Sequence, residues 1–177
     1  KDTIYSGVGA DIVVAGDDDD KVIFRTTTES KDDLIDGGAG NNDELDYSDL
    51  STGISVTLNT SNYVNVIING VNDHQIKNIE NISGSSAADF IVGDSNKNTL
   101  YGNAGSDSLY GGADNDELYG GDNDDKLRGG AGDDLLSGGS GNDTADYSDA
   151  TEDLIVDITD GEHNISTSQG KDTFSSI

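Results

Sequence analysis

Hydrophobic residues recur at every ninth position through the centre of the chain. From Gly84 onwards the sequence divides into seven consecutive nonapeptides, whose eighth positions hold Ile91, Leu100, Leu109, Leu118, Leu127, Leu136 and Ala145. An amphipathic helix needs an apolar residue every three or four positions, so this spacing excludes one. The spacing fits a six-residue turn and a three-residue strand, in which the eighth residue points inward and its neighbours outward. Two nonapeptides then form one coil, and successive coils stack as parallel strands about 4.8 Å apart.

The turn positions follow the same frame. The first position is glycine in all seven nonapeptides, and the fourth holds Gly105, Asp114, Asn123, Gly132 and Gly141 in the last five of them. Gly, Asn and Asp tolerate a positive φ best, so the fourth position predicts a tight turn. The sixth position holds an acid or its amide. Stacking of alternate repeats places Asp89, Asp107, Asp125 and Asp143 along one edge of the fold, and Asn98, Asp116 and Asp134 along the other.

Earlier copies of the frame occupy residues 1–45, with interruptions. Four copies place an acid in the sixth slot and an apolar residue in the eighth: Asp2 with Ile4, Asp11 with Val13, Asp20 with Val22, and Asp33 with Ile35. A fifth copy opens at Gly37, but one extra asparagine shifts its acid to Asp43 and its apolar residue to Leu45. That insertion argues against a normal ion site in this copy.

A second, longer repeat separates the nonapeptide blocks. Asp46-Tyr47-Ser48-Asp49 recurs one hundred residues later as Asp146-Tyr147-Ser148-Asp149. Alternating apolar residues follow each copy and predict strands with one buried face: Ile54, Val56 and Leu58 in the first, Leu154, Val156 and Ile158 in the second. The segments Tyr63–Ile68 and Gln75–Ile82 complete the first copy as further strands.

The two repeats together predict an all-β chain in four parts. These are a first repeat block at 1–45, a spacer at 46–83, a main repeat block at 84–146 and a second spacer at 147–177. Because Ile177 aligns with Ile79, we expect the natural chain to continue with an acidic residue and another nonapeptide block. The sequence is therefore interpreted as a fragment of a larger protein.

Composition indicates that something besides an apolar core holds this fold. Only 32% of residues are hydrophobic and the formal net charge is −27, a profile that normally leaves a chain disordered. Such a charge makes nucleic acid and anionic membranes poor partners. No apolar run approaches the roughly 18 residues of a membrane span. The chain has no cysteine, which excludes disulfides. Multivalent cations remain as the natural partner of the surplus carboxylates.

The stacked acids indicate which cation would bind between the turns. Two unit charges about 4.8 Å apart repel by about 1 kcal/mol in water, and by about 3.5 kcal/mol at an effective dielectric constant of about 20. A ladder of such pairs opposes folding unless a cation lies between the turns. Calcium accepts carboxylate and carbonyl oxygens in six- to eight-fold coordination, whereas magnesium requires stricter octahedral geometry and retains water. We therefore expect several calcium ions and poor substitution by magnesium.

Nonapeptides such as Gly129-Gly130-Ala131-Gly132-Asp133-Asp134-Leu135-Leu136-Ser137 resemble the glycine- and aspartate-rich repeats of the RTX (repeats-in-toxin) family. The Asp-Tyr-Ser segments are also similar to spacers found between RTX blocks. The resemblance implies a right-handed parallel β-roll, a solenoid, with calcium between adjacent turns. It also implies that sixth-position carboxylates and carbonyls of the glycine-rich turn are the ligands. Carried over, these are Asp11, Asp20, Asp89, Asp107, Asp116, Asp125, Asp134 and Asp143, with Gly102, Gly111, Gly112, Gly120, Gly121, Gly129, Gly130, Gly138 and Gly139. Asn98 departs from the pattern, which weakens its site.

The resemblance also implies a function. Similar proteins leave bacteria unfolded through type I secretion and fold outside the cell, so we expect a secreted, calcium-binding structural module. A module that binds polysaccharide or a cell surface is the alternative. The ninth-position tyrosines Tyr101, Tyr110 and Tyr119 could form such a surface, and the spacers, such as Tyr63–Asn78, could provide a basic groove or an aromatic platform. Ordinary strand propensity also explains those tyrosines. The acids could simply be solvated turn residues, and fifth-position acids such as Asp124 and Asp133 could either bind the ion or tune its field.

No feature of the sequence indicates an enzyme. His74 and His163 are isolated from any recognisable metal or triad pattern. No G-x-S-x-G motif, P-loop or complete EF-hand loop occurs. Catalysis by a parent protein, such as a protease, lipase, toxin or epimerase, is expected to lie outside this sequence.

Overall fold

The computed structural model describes residues 1–7, 9–25, 33–59, 61–151, 153–157, 163–167 and 170–177. These residues form strands, turns and loops, and no helix among them could cross a membrane. The strands are β1 Thr3–Tyr5, β2 Ile12–Asp17, β3 Lys21–Ile23, β4 Asp33–Ala39, β5 Glu44–Asp46, β6 Ile54–Thr57, β7 Val64–Ile68, β8 Val71–Lys77, β9 Asn81–Ser83, β10 Phe90–Val92, β11 Thr99–Ala104, β12 Ser108–Ala113, β13 Glu117–Asp122, β14 Lys126–Ala131, β15 Leu135–Ser140, β16 Thr144–Ala145, β17 Ile155–Asp157, β18 His163–Thr167 and β19 Gly170–Ser175.

Consecutive strands of the repeat blocks alternate between two sheets. The ten-stranded sheet has the order β1-β3-β5-β9-β11-β13-β15-β19-β18-β17, and the nine-stranded sheet has the order β16-β14-β12-β10-β6-β7-β8-β4-β2. Strands β10 to β14 each pair in parallel with the strand two further along, as β12 does with β14. Two nonapeptides therefore complete one coil, and the predicted parallel β-roll is confirmed.

Strands β11 to β15 of the main block are longer than predicted. Strand β12 contains six residues instead of three, because it continues through the glycines that open the next repeat. Gly112, with φ 125°, pairs with Gly130, and a Cβ added at Gly112 would lie 2.1 Å from the carbonyl oxygen of Asp94. The missing side chain lets neighbouring coils pair through the start of the turn. The fourth-position residues also have the predicted positive φ, for example 70° at Asp114 and 79° at Asn123.

The core of the roll is one residue thick. The eighth-position residues are fully buried and stack in register, Leu100 on Leu118 on Leu136 in one sheet and Ile91 on Leu109 on Leu127 in the other. In the first block Val22, Ile35 and Leu45 are buried in the same way. The predicted inner stack is therefore confirmed, except that Ile4, Val13 and Ala145 are only half-buried.

The first spacer widens the core by adding antiparallel strands to the nine-stranded sheet. Strand β7 pairs antiparallel with both β6 and β8, while β6 also pairs in parallel with β10 and β8 in parallel with β4. The predicted strand at Gln75–Ile82 is divided, because β8 ends at Lys77 and β9 starts at Asn81. In the second spacer, the prediction of a buried face fails at Leu154, which is 40% exposed, and Ile158 lies outside the described residues.

Candidate metal centre

Sixth-position side chains stack along both edges of the roll, one coil above another. From Asp107 onwards, each Oδ1 accepts the backbone N–H of the sixth residue in the preceding coil. Beside the nine-stranded sheet, the N–H groups of Asp89, Asp107 and Asp125 donate to Asp107, Asp125 and Asp143 at 2.7, 2.8 and 2.9 Å. Beside the ten-stranded sheet, the N–H groups of Asn98 and Asp116 donate to Asp116 and Asp134, both at 2.8 Å. The predicted stacking of alternate repeats is confirmed.

The second carboxylate oxygen of most stacked acids is buried without a hydrogen-bond partner. This unpaired Oδ2 occurs at Asp20, Asp33, Asp43, Asp107, Asp116, Asp125, Asp134 and Asp143. A buried polar atom without a partner is costly, and a buried charge without one is more so. A single unpaired carboxylate oxygen would be a local defect in hydrogen bonding. A row of them along both edges of the roll indicates that a cation is the missing partner.

Backbone oxygens share the space beside each unpaired carboxylate oxygen. A Cβ added at Gly120 would lie 2.3 Å from Oδ2 of Asp125 and 2.6 Å from the carbonyl oxygen of Gly138 in the next coil. The same pair of oxygens flanks Gly102, where the distances to Oδ2 of Asp107 and to the carbonyl of Gly120 are 2.3 and 2.5 Å. The first-position glycine therefore keeps open a gap that an acid and a carbonyl both border.

This donor set fits calcium. The oxygens are hard, they combine carboxylate with carbonyl, and they come from flexible turns instead of a rigid octahedral cage. Among the described residues, no group of three or more His, Cys, Asp or Glu side chains converges as a metal site. An ion in these gaps would therefore depend on backbone carbonyls for much of its coordination, as the glycine-rich turns provide.

Burial changes the acidity of the stacked carboxylates. It raises the pKa of Asp107 and Asp116 to about 7, and that of Asp125 and Asp134 to about 6. The backbone N–H bound to Oδ1 lowers the pKa of each, whereas neighbouring acids raise it further. Without a cation, each folded carboxylate thus retains its proton to a higher pH than it would in an unfolded chain.

We expect the metal-free chain to form more β-structure at pH 5 than at pH 8. Because the folded pKa of about 6–7 exceeds the ordinary value of 3.8, the folded state binds more protons than the unfolded state between those values. Its stability therefore falls as pH rises through about 7. Circular dichroism of chelated and dialysed protein at both pH values measures this, and equal or weaker β-signal at pH 5 would contradict it.

Two predicted ligands differ from the other acids. Both oxygens of Asp89 have donors within the protein, since Oδ1 accepts the N–H of Ile54 and Oδ2 that of Ser85, each at 2.7 Å. Asp11 is only half-buried, and its Oδ2 faces the N–H of Gly7 at 3.2 Å. Among the predicted acids, the unpaired oxygen is thus found at Asp20 and from Asp107 to Asp143.

Two acids outside the predicted ligand set have the same geometry. Oδ1 of Asp33 accepts the N–H of Asp11 and Oδ1 of Asp43 that of Asp20, both at 2.7 Å, and both Oδ2 atoms are unpaired. The insertion was expected to argue against a normal ion site in this copy, yet it leaves the Asp43 carboxylate in the same arrangement as the other stacked acids. The turn at Asn41 and Asn42 is exposed and takes up the extra residue, so Asp43 returns to register.

The spacers also contribute side chains at the edges of the roll. His74 pairs in register with Asp33, and its Nε2 lies 2.6 Å from the hydroxyl of Tyr47. In the second spacer Oδ1 of Asp172 accepts the N–H of Asp134 at 3.1 Å, and its Oδ2 accepts the hydroxyl of Tyr147. The shared Asp-Tyr-Ser segment and the alignment of Ile177 with Ile79 could have revealed this equivalence. Each spacer tyrosine therefore anchors the side chain that continues the stack.

His74 also has a carboxylate neighbour, which sequence reasoning did not find. Its Nδ1 lies 3.0 Å from Oδ2 of Asp73, so Asp73, His74 and Tyr47 form a hydrogen-bonded line. The imidazole is only 2% exposed and stacks on Phe24, with ring centroids 4.3 Å apart. The ring is therefore packed into the core, and the hydrogen-bonded line joins the spacer to that core.

The parallel two-sheet roll, its glycine-bordered gaps and its buried acids define a calcium-binding nonapeptide-repeat protein. The RTX calcium-binding nonapeptide repeat family matches four stretches, residues 1–23, 27–43, 83–118 and 110–145, together more than half of the chain. The chain belongs to this family.

Other comparisons add little. Among solved structures, the crystal structure of the extracellular lipase LipA from Serratia marcescens is similar at 17% identity and a TM-score of 0.24. That alignment covers 99% of this chain and 38% of the lipase. A TM-score this low carries no argument about fold or function. No curated relative matches the sequence.

Proposed function

We propose that this chain is a calcium-driven folding module of a larger extracellular protein. The unpaired, buried Oδ2 atoms that border the glycine gaps carry this proposal. We place calcium ions at these gaps, held by sixth-position carboxylates and carbonyls of the glycine-rich turns. The module itself performs no catalysis, and its role is to support the secretion, folding and stability of the protein that contains it.

Ion binding of ordinary strength is sufficient to switch this fold. If roughly six ions each bind with a Kd near 10⁻⁴ M, about 1 mM calcium adds about 1.4 kcal/mol per ion and about 8 kcal/mol in all. That sum is comparable to the stability of a whole domain. At sub-micromolar calcium the contribution nearly vanishes. The repeat blocks would thus remain unfolded inside a bacterium, as type I secretion requires, and fold after export.

Replacing Asp125 with asparagine should have opposite effects with and without calcium. Asparagine retains an oxygen for the N–H of Asp107 and places an N–H donor beside the Gly138 carbonyl, where the unpaired Oδ2 lies. We expect Asp125→Asn to stabilise the metal-free fold and to weaken the calcium-bound one by about 1.4 kcal/mol, the contribution of one site. Urea unfolding in chelator and at 1 mM calcium measures both effects.

Asp124→Asn is the matched control for that experiment. Asp124 is the adjacent residue, carries the same charge and is exposed, and its Oδ1 accepts the N–H of Asn142 at 2.9 Å, which asparagine can also do. We expect this variant to change both stabilities much less than Asp125→Asn does, because Asp124 acts on Asp125 only through its charge from an exposed position. If Asp125→Asn instead changed stability equally in chelator and in calcium, Asp125 would not be a ligand.

The alternative function, binding of polysaccharide or a cell surface, rests on the exposed aromatic side chains. Tyr101 and Tyr119 stack on the outer face of the ten-stranded sheet at 4.9 Å, and Phe90 and Tyr110 lie 5.4 Å apart on the other sheet. Cross-strand pairing accounts for both contacts. Arg128, the cation next to Tyr110, is already bound to Asp146. The observations therefore favour the calcium-driven module.

A further inference from the structure

The first spacer meets the main block where β6 pairs with β10 and β9 pairs with β11. This joint, formed by strands β6, β9, β10 and β11, differs from the rest of the roll. Unpaired carboxylate oxygens occur up to Asp43 and again from Asp107, but at none of the described residues between them. The sixth positions of the two nonapeptides in this interval are Asp89 and Asn98, and together these nonapeptides form the first coil of the main block. Both side chains are buried, at 4% and 0% exposure. This coil therefore satisfies its polar groups in some other way.

The amide group of Asn98 makes hydrogen bonds with both of its polar atoms. Its Oδ1 accepts the N–H of Asp94 and its Nδ2 donates to the carbonyl of Glu80, both at 2.8 Å. The gap next to it has the usual shape, since a Cβ added at Gly93 would lie 2.2 Å from Oδ1 of Asn98 and 2.1 Å from the carbonyl of Gly111. The amide thus occupies the same kind of gap as the acids, with both of its polar atoms paired.

The buried carboxylate of Asp89 receives hydrogen bonds from a serine. In later repeats the second position is a residue such as Gly112 or Gly121, but here it is Ser85. The backbone N–H of Ser85 donates to Oδ2 of Asp89 at 2.7 Å, and its hydroxyl donates to Oδ1 at 3.0 Å. Since Ile54 donates a further hydrogen bond to Oδ1, the carboxylate has three protein donors. This carboxylate is compensated without an ion.

The spacer packs directly against this coil. Strand β10 pairs with β6 and strand β11 pairs with β9, so both sheets pass from spacer to main block without a break. Tyr47, Ile54 and Ile82 are buried next to it, in the region where the core is wider than a single residue. Apolar burial at the joint is therefore greater than in the regular coils, where one side chain per repeat enters the core.

We propose that Asp89 and Asn98 close a calcium-independent joint between two calcium-dependent repeat blocks. At these two positions, hydrogen bonds from Ser85 and to Glu80 replace the ion that the repeat frame would otherwise require. The joint provides a preformed edge in each sheet on which the flanking coils add as calcium binds. This inference rests on the proposed function for the flanking blocks, but the stability of the joint itself does not depend on calcium.

Hydrogen exchange of the whole chain in chelator tests the joint without any mutation. We expect amides of β6, β9, β10 and β11 to exchange roughly tenfold or more slowly than those of β13, β14 and β15, because only the latter turns bury unpaired oxygens. Calcium should slow exchange in the latter group. Equal exchange of the two groups in chelator would overturn the proposal.

Asn98→Asp should convert the joint into one more ion site. We expect calorimetric titration to find one additional calcium per chain, and the joint to lose its protection in chelator. Asn96→Asp is the control, since it makes the same charge change on an exposed side chain of the same nonapeptide. An unchanged stoichiometry in Asn98→Asp would overturn the proposal. If the parent chain bound no calcium, the proposed function would fail, whereas exchange in chelator would still decide whether the joint exists.

Discussion

Replacing Gly120 with alanine should prevent the main block from folding around its calcium ions. The new Cβ would lie 2.3 Å from Oδ2 of Asp125 and 2.6 Å from the carbonyl oxygen of Gly138. The carboxylate is fixed by its bond to Asp107, and the carbonyl belongs to the backbone of the next coil, so neither can yield easily. Overpacking of this kind costs about 1–3 kcal/mol, and loss of the ion in the gap adds about 1.4 kcal/mol.

Gly7→Ala is the matched control for the Gly120 substitution. Its Cβ would lie 3.6 Å from Oδ2 of Asp11, an ordinary van der Waals distance. We expect this variant to fold with calcium as the parent does, when both are followed by circular dichroism at increasing calcium. Normal calcium-dependent folding of Gly120→Ala would show that the gap beside Gly120 does not hold an ion.

Leu118→Ala should destabilise the calcium-bound roll by about 2–5 kcal/mol, the usual range for a buried leucine. Leu118 is fully buried and lies in register between Leu100 and Leu136. Because the core is one residue thick, no second layer of side chains can move in to fill the cavity. The loss is a large part of a domain's stability of about 5–15 kcal/mol, so calcium should be needed at a higher concentration. Urea unfolding at saturating calcium measures the effect.

Val14→Ala removes apolar atoms from the outer surface instead. Val14 is 66% exposed on strand β2, so its truncation to alanine should change stability by no more than about 0.5 kcal/mol. An equal effect of the two substitutions would mean that the inner stack is not the structural core.

The nine-residue frame was sufficient to predict the regular part of the fold. Because each repeat makes the same contacts one coil apart, the position of Leu118 in the core and of Asp125 at the edge follows from spacing alone. The positive φ of the fourth position could be predicted from residue type, since every residue found there in the last five nonapeptides is glycine, aspartate or asparagine. These features are local and repeated, which is why a single sequence reveals them.

Features that depend on long-range packing could not be predicted in the same way. The sequence predicts the strand at Tyr63–Ile68, but the antiparallel placement of β7 between β6 and β8 depends on how the spacer core packs. The hydrogen bond between His74 and Tyr47 joins residues 27 positions apart. Asp43 remains in the stack because an exposed turn absorbs the inserted residue, which a fixed frame does not anticipate. Whether a carboxylate oxygen is unpaired depends on the donors packed around it, which the spacing of the repeats does not specify.

The most direct test of calcium-coupled folding is a titration of the metal-free chain with calcium, followed by far-UV circular dichroism, with magnesium as the control. Buried carboxylates without partners should keep the chain largely unfolded near neutral pH until an ion fills the gaps. We expect a cooperative rise in β-signal at sub-millimolar to millimolar calcium and little change with magnesium. A β-signal already complete in chelator, or an equal response to magnesium, would contradict the account.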